Sequence, residues 1–126
     1  MNFQPKLCFI IPVYDHSKNL PTFIKELTKK NFPIILVDDG SHSACKKIMM
    51  RLDQEIEGVT LKSHVLNLGK GAAIKTGLKE AKKSGFSHAI QIDADGQHNI
   101  EDISRFVLEM NKQPNALVSG FPSFDK

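Results

Sequence analysis

Apolar runs of strand length alternate along this chain with segments whose apolar residues recur at helical spacing, and the alternation predicts the order βαβαβαβαβ. The stretches "KLCFIIPVY" and "PIILVDDGS" are continuous apolar runs, the mark of strands buried on both faces of a parallel sheet. Pro12, which lacks an N–H, is expected to end the pairing of the first strand near its carboxyl end. Between these runs Leu20, Phe23, Ile24 and Leu27 fall on one helical face, with Asn19 as the expected N-cap, Pro21 in the first turn and Asn31 as the close.

The same reading continues to the end of the chain. Ser41 or Ser43 is expected to cap a second helix carrying Ile48, Leu52 and Ile56, stopped by Gly58, and "VTLKSHV" gives a third strand. "GKGAAIKTGLKEAKKSG" reads as a glycine-rich start to a helix that buries Ile74, Gly77, Leu78 and Ala81 and turns Lys75, Lys79 and Lys82 to water. "HAIQID" is the fourth strand. A helix from near Asn99 follows, with Glu101 and Asp102 where the helix dipole favours acids, and with Ile100, Ile103, Val107 and Met110 as its core stripe. "ALVSG" is the last strand. The two phenylalanines of "FPSFDK" are expected to pack against further chain, so the sequence reads as a truncated part of a larger unit.

Composition narrows the class without naming a function. At 126 residues, 40% hydrophobic and 25% charged, the chain has the size and balance of one globular domain. The net charge of +3 comes from scattered lysines, without the basic runs or interleaved aromatics of a nucleic-acid surface, so no nucleic-acid partner is expected. Cys8 and Cys45 lie far apart and outside any metal spacing, and read as reduced core thiols. The apolar stretch near the N-terminus is too short to span a membrane or to serve as a signal peptide, which points to the cytoplasm or the cytoplasmic face of a membrane.

In an open α/β sheet ligands bind beyond the carboxyl ends of the strands, and the polar clusters of this chain fall at those ends. Tyr14 and Asp15 follow the first strand, Asp38 to Ser41 the second, Asn67 to Gly71 the third, and Asp93, Asp95, Gly96 and Gln97 the fourth. Asp93 and Asp95 are one residue apart, so their side chains share a side of an extended segment. Two adjacent carboxylates stay ionised at a cost unless a cation offsets them, and Mg²⁺ or Mn²⁺ with a phosphate-bearing ligand suits such a pair. The same "DADG" is also a sufficient turn signal. Likewise "VDDGS" is either a strand, turn and cap or a carboxylate that accepts a hydrogen bond from a base or ribose.

Several named motifs fail on spacing. "NLGKGAA" places Lys70 between two glycines, which fits neither a Walker A loop nor a dinucleotide GxGxxG, so Lys70 is either a nucleotide contact or a solvated lysine at a helix start. An EF-hand reading of "DADGQH" fails at Gln97, His98 and Ser104. The histidines show no metal-ligand spacing, and His98 reads as a helix-start histidine with a backbone partner. A receiver-like acidic pocket would need a lysine after a late strand, and "ALVSGF" has none. A nucleotidyltransferase would need a glycine-rich, arginine-bearing loop where "PVYDHSKN" stands.

Taken together, "IIPVYD", "VDDGS", "NLGKGAA" and "DADGQH" resemble, in order and spacing, the nucleotide-binding half of a family 2 glycosyltransferase of the Rossmann-like GT-A fold. "GKGAA" and "DADGQH" look most like its dolichyl- or polyprenyl-phosphate sugar transferases. The resemblance implies that residues 1–126 are the N-terminal nucleotide-sugar-binding part, with the acceptor part and any catalytic base beyond residue 126. It implies an inverting, metal-dependent transfer from a UDP- or GDP-linked sugar to a polyprenyl-phosphate or saccharide acceptor, with membrane association through regions outside this sequence. Asp93 and Asp95 become the DxD pair that holds Mn²⁺ or Mg²⁺, completed by Gln97. Pro12, Tyr14 and Asp15 become the loop lining the nucleoside, with Asp38 reading the base and Asp39 supporting it. The competing expectations are a non-catalytic nucleotide-sugar-binding module and a nucleotidyltransferase on a related fold.

Overall fold

The computed structural model describes residues 6–94, 99–110, 112 and 118–120. Strands β1 (Leu7–Val13), β2 (Ile34–Asp39), β3 (Val59–His64), β4 (His88–Gln91) and β5 (Val118–Gly120) form one parallel sheet in the order β3-β2-β1-β4-β5. Helices α1 (Leu20–Lys29), α2 (Ser43–Glu55), α3 (Lys70–Lys83) and α4 (Ile100–Met110) connect them, so the strand and helix alternation read from the sequence is the one observed. The first two residues of "ALVSG" and all of "FPSFDK" lie outside the described residues. Among the described residues no helix is long and apolar enough to cross a membrane.

The two faces of the sheet are covered unequally. Phe9, Ile11 and Val13 of β1 point to one face and meet Leu20, Ile24 and Leu27 of α1, Met49 and Leu52 of α2 and Ile103 of α4. Cys8 and Ile10 point to the other, where Ile35, Val37, Ala73 and Ala81 complete a smaller core under α3. Strand β2 lies between β1 and β3 and is buried along its whole length, which is why its sequence shows no alternation. Each fully buried Leu or Ile here contributes roughly 1.5–3 kcal/mol relative to its exposed state. Cys8 and Cys45 are both buried and unpaired, and burial pushes the Cys8 thiol up to about 12, so it stays protonated at neutral pH.

Several local expectations are corrected. Helix α3 buries Ala73, Gly77 and Ala81, while Ile74 and Leu78 are only half-buried. The reason is depth: a Cβ on Gly77 would lie 2.5 Å from Ile10 Cγ2, so small residues let the helix axis approach the sheet. Asn19 precedes α1 in a left-handed conformation without a side-chain cap, and only its carbonyl accepts, from Phe23 N–H at 3.0 Å. The residue before α2 is His42, again without a side-chain cap, because the Ser41 hydroxyl is used elsewhere and Ser43 is already helical. Asn31 closes α1 as expected, at φ 63°.

Gly77→Ala tests the depth argument. The gain in helix propensity, about 1 kcal/mol, is opposed by overpacking of about 1–3 kcal/mol against Ile10. The expected result is a melting temperature lowered by a few degrees in a calorimetric scan, and a smaller loss when Gly77→Ala is made in an Ile10→Ala background, where the Cγ2 that it meets is gone.

Candidate functional site

The site begins with an asymmetry in how β1 pairs. Phe9 N–H donates to Pro33 on the β2 side, and Ile10 accepts from Ile92 N–H on the β4 side at 3.0 Å. In a parallel ladder successive residues bond to alternate neighbours, so the missing N–H of Pro12 falls on the β4 side, just past the last bond there. Pro12 therefore ends the pairing on one side only. Toward β2 the register continues through Pro12↔Val37 to Val13↔Asp38.

This parting coincides with the point where strand order reverses, since the chain runs from β1 outward to β3 and then returns to the far side of β1 as β4. A cleft of about 260 Å³ opens there. It is lined by Pro12, Val13, Tyr14 and His16 of β1 and the loop after it, by Asp39 of β2, by Asn67, Gly69 and Lys70 at the start of α3, and by Asp93 and Ala94 after β4.

The two adjacent acids of β2 have separate roles, because alternation sends them to opposite faces. Asp38 is fully buried on the α2 side, where its Oδ1 accepts Ser41 N–H at 2.8 Å and its Oδ2 has only the ion pair with Lys46 Nζ at 3.0 Å. It is not among the residues that line the cleft, and its contacts brace the turn after β2. Asp39, 4% exposed, does line it. Its Oδ1 accepts from Leu68 N–H at 2.9 Å and pairs with His64 Nδ1 at 2.8 Å, while Oδ2 accepts Gly69 N–H at 2.9 Å. His64 Nε2 meets the Thr76 hydroxyl at 2.7 Å. Burial alone would raise the Asp39 pKa, but His64 and the two N–H donors outweigh it and hold the carboxyl below its usual range.

The loop after β1 is tied to the loop after β2. Asp15, at φ 57°, accepts His42 N–H at 2.7 Å and pairs with His42 Nδ1 at 2.6 Å, and its own N–H donates to the Ser41 hydroxyl at 2.9 Å. The His42 N–H is the chief reason its carboxyl is held low. Asp15 thus fixes the loop that carries Tyr14 without lining the cleft itself. Gly40 makes a further close approach: a Cβ there would lie 2.4 Å from Asn67 N, and its φ of 76° also favours glycine.

Lys70, the first residue of α3, places Nζ 2.6 Å from Asp93 Oδ1, and Gln91 Nε2 donates to the same oxygen at 3.1 Å. Lys70 therefore lines the cleft while more than half of its side chain stays in water. Asp95, Gln97 and His98 lie outside the described residues. His16, His64 and Thr76 had no place in the sequence reading. For His64 a signal was present, because the register sets the last residue of β3 directly beside Asp39.

A parallel α/β sheet with a cleft lined by acids and a lysine at its switch point defines a doubly wound α/β protein, a class in which ligands bind at that place. More narrowly, the chain belongs to glycosyl transferase family 2, whose pattern it matches over residues 8–125. It is 36% identical to a UDP-N-acetylglucosamine–dolichyl-phosphate N-acetylglucosaminyltransferase of Methanococcus voltae, over 88% of this chain and 49% of that protein. It is 32% identical to an undecaprenyl-phosphate 4-deoxy-4-formamido-L-arabinose transferase of Salmonella choleraesuis, over 85% of this chain and 34% of that protein. The chain thus spans about half or less of the curated relatives it matches. Its fold is that of the mannosyltransferase PcManGT from Pyrobaculum calidifontis, solved with GDP-Man and Mn²⁺, at a TM-score of 0.69 and 18% identity over 84% of this chain and 32% of that one.

Asp39→Asn is expected to lower stability at pH 7 by about 1–3 kcal/mol, because a charged acceptor for two N–H groups and His64 is lost. With its folded pKa depressed, the wild-type carboxylate contributes fully above the ordinary carboxylate pKa, and loses that contribution as pH falls through the lower folded value. The variant should therefore show a shallower loss of stability below about pH 4 than the wild type, read from urea melts across pH.

Proposed function

We propose that this chain is the donor-binding part of an inverting, metal-dependent glycosyltransferase that moves a sugar from a UDP- or GDP-linked donor to a polyprenyl-phosphate acceptor. The observation that carries the reading is the switch-point cleft, which Pro12, Tyr14, Asp39, Lys70 and Asp93 line together. The names of the two curated relatives support a lipid-phosphate acceptor, and the ligands of the structural neighbour support a nucleotide sugar with a divalent cation.

In this reading the nucleoside lies along Pro12 and Tyr14, and Asp39 rather than Asp38 meets its base or ribose. Asp39 has one acceptor position left after three partners, enough for a single hydrogen bond from the ligand. Lys70 meets the diphosphate, its charge placed at the start of α3 where the helix dipole also favours an anion.

The donor chemistry at the Asp93 end fits Mg²⁺ or Mn²⁺. Asp93 presents a hard oxygen that already holds a cationic group in the cleft. Among the described residues no group of three or more His, Cys, Asp or Glu is placed to hold a metal, and a cation that takes one or two carboxylates and fills its shell with water and phosphate oxygens needs none. Asp93, with Asp95 and Gln97 of the same segment, would hold it. The chemistry such a cation supplies when bound is neutralisation of charge on the departing nucleoside diphosphate.

Transfer itself forms a bond from the acceptor oxygen to the anomeric carbon while the bond from that carbon to the diphosphate oxygen breaks. Attack from the opposite face inverts the configuration. A phosphate acceptor is already ionised and needs no base, whereas a saccharide hydroxyl would need a carboxylate.

A thermal-shift series with UDP, GDP and their sugars, each with Mn²⁺ and with chelator, tests the reading. One base should raise the melting temperature in a metal-dependent way, by an amount equivalent to about 2.7 kcal/mol at a hundredfold excess over Kd. Asp95→Asn should abolish that metal-dependent part and leave the unliganded melting temperature unchanged. Retention of the full shift in the variant would refute the metal assignment.

A further inference from the structure

The cleft contains a cation of its own. Lys70 Nζ lies 2.6 Å from Asp93 Oδ1, on the oxygen that Gln91 also donates to, and both charged residues line the same cleft. The backbone beneath Lys70 is fixed, since Gly69 N–H is held by Asp39. The side chain is not: it is 55% exposed and sits on a rotatable four-carbon stem, so its ammonium can exchange partners without moving the helix.

A monovalent ammonium and a divalent metal ion cannot both take the same carboxylate oxygen at contact distance, because like charges so placed repel. A diphosphate beside them removes the conflict, since it offers anionic oxygens to both. Resting on the nucleotide-sugar reading above, we infer that Lys70 is an internal counter-cation that couples metal uptake to donor uptake. With no donor in the cleft it neutralises Asp93 and opposes capture of a divalent cation. When the donor arrives Lys70 transfers to the diphosphate oxygens and frees Asp93 for the metal. Metal and nucleotide then bind with positive coupling, and by linkage each raises the affinity for the other to the same degree.

The role differs from a simple phosphate contact in the sign of one effect. A lysine that only touches diphosphate leaves the affinity for metal alone unchanged when removed. A counter-cation raises that affinity when removed.

The test is Mn²⁺ binding to the full chain, read from the spectrum of free Mn²⁺ by electron paramagnetic resonance, with and without GDP or UDP. Lys70→Met is expected to bind Mn²⁺ alone about two- to fivefold more tightly than the wild type, the scale of a lost exposed ion pair. The same variant should show a smaller gain in Mn²⁺ affinity on adding nucleotide. Lys70→Arg, which keeps the charge, should stay near wild type, and equal melting temperatures of the three proteins would establish that each is folded. Unchanged or weaker Mn²⁺ binding by Lys70→Met without nucleotide overturns the inference. So does a wild type that takes up no Mn²⁺ under any condition; if that protein still binds GDP or UDP, the nucleotide reading stands and Lys70 itself is the cation of the site.

Discussion

The Asp39 carboxylate is the interaction on which the rest of the site depends. It lies at the end of a wholly buried strand and gathers Leu68 N–H, Gly69 N–H and His64, so one side chain joins β2, β3 and the start of α3. Without that anchor the loop from residue 65 to 69 would have no fixed course, and Lys70 would have no fixed origin. The anchoring has a cost. Val65, Leu66 and Leu68 are held largely in water, because a loop pinned from beneath cannot fold its apolar side chains inward.

The fold was legible because burial dominates its sequence. A strand covered on both faces must be apolar throughout, and helices seated on a sheet must repeat their apolar face, so β1, β2, α1 and α4 all declared themselves. Details set by polar geometry did not. Whether Ser41 caps α2 or meets Asp15 depends on how two loops 26 residues apart come together, which no local pattern records. The stripe on α3 was read correctly at Gly77 and Ala81 but centred one position off, on Ile74 rather than Ala73, because close approach to the sheet selects the smallest side chains.

The candidate site was legible as a set of positions and only partly as a set of roles. Among the described residues, Tyr14, Asp39, Asn67, Lys70 and Asp93 from the four strand ends line one cleft, because a parallel sheet sends all carboxyl ends to one side. Of Asp38 and Asp39 only the second lines the cleft, since alternation turns one toward α2 and the other toward α3, and the sequence does not say which face opens into it. Lys70 was ambiguous for want of a known partner, and Asp93, brought beside it by the fold, supplies one.

The depth of α3 links these themes. Its small residues are spaced along the same helix whose first residue is Lys70, and Gly77 stands about two turns, roughly 10 Å, from that lysine. The helix acts as a lever whose fulcrum is the contact between Gly77 and Ile10. A single added methyl at the fulcrum, remote from any ligand, would tilt the working end and change where a positive charge sits in the cleft. A change in core volume on this face is therefore also a change in the place of the Lys70 ammonium.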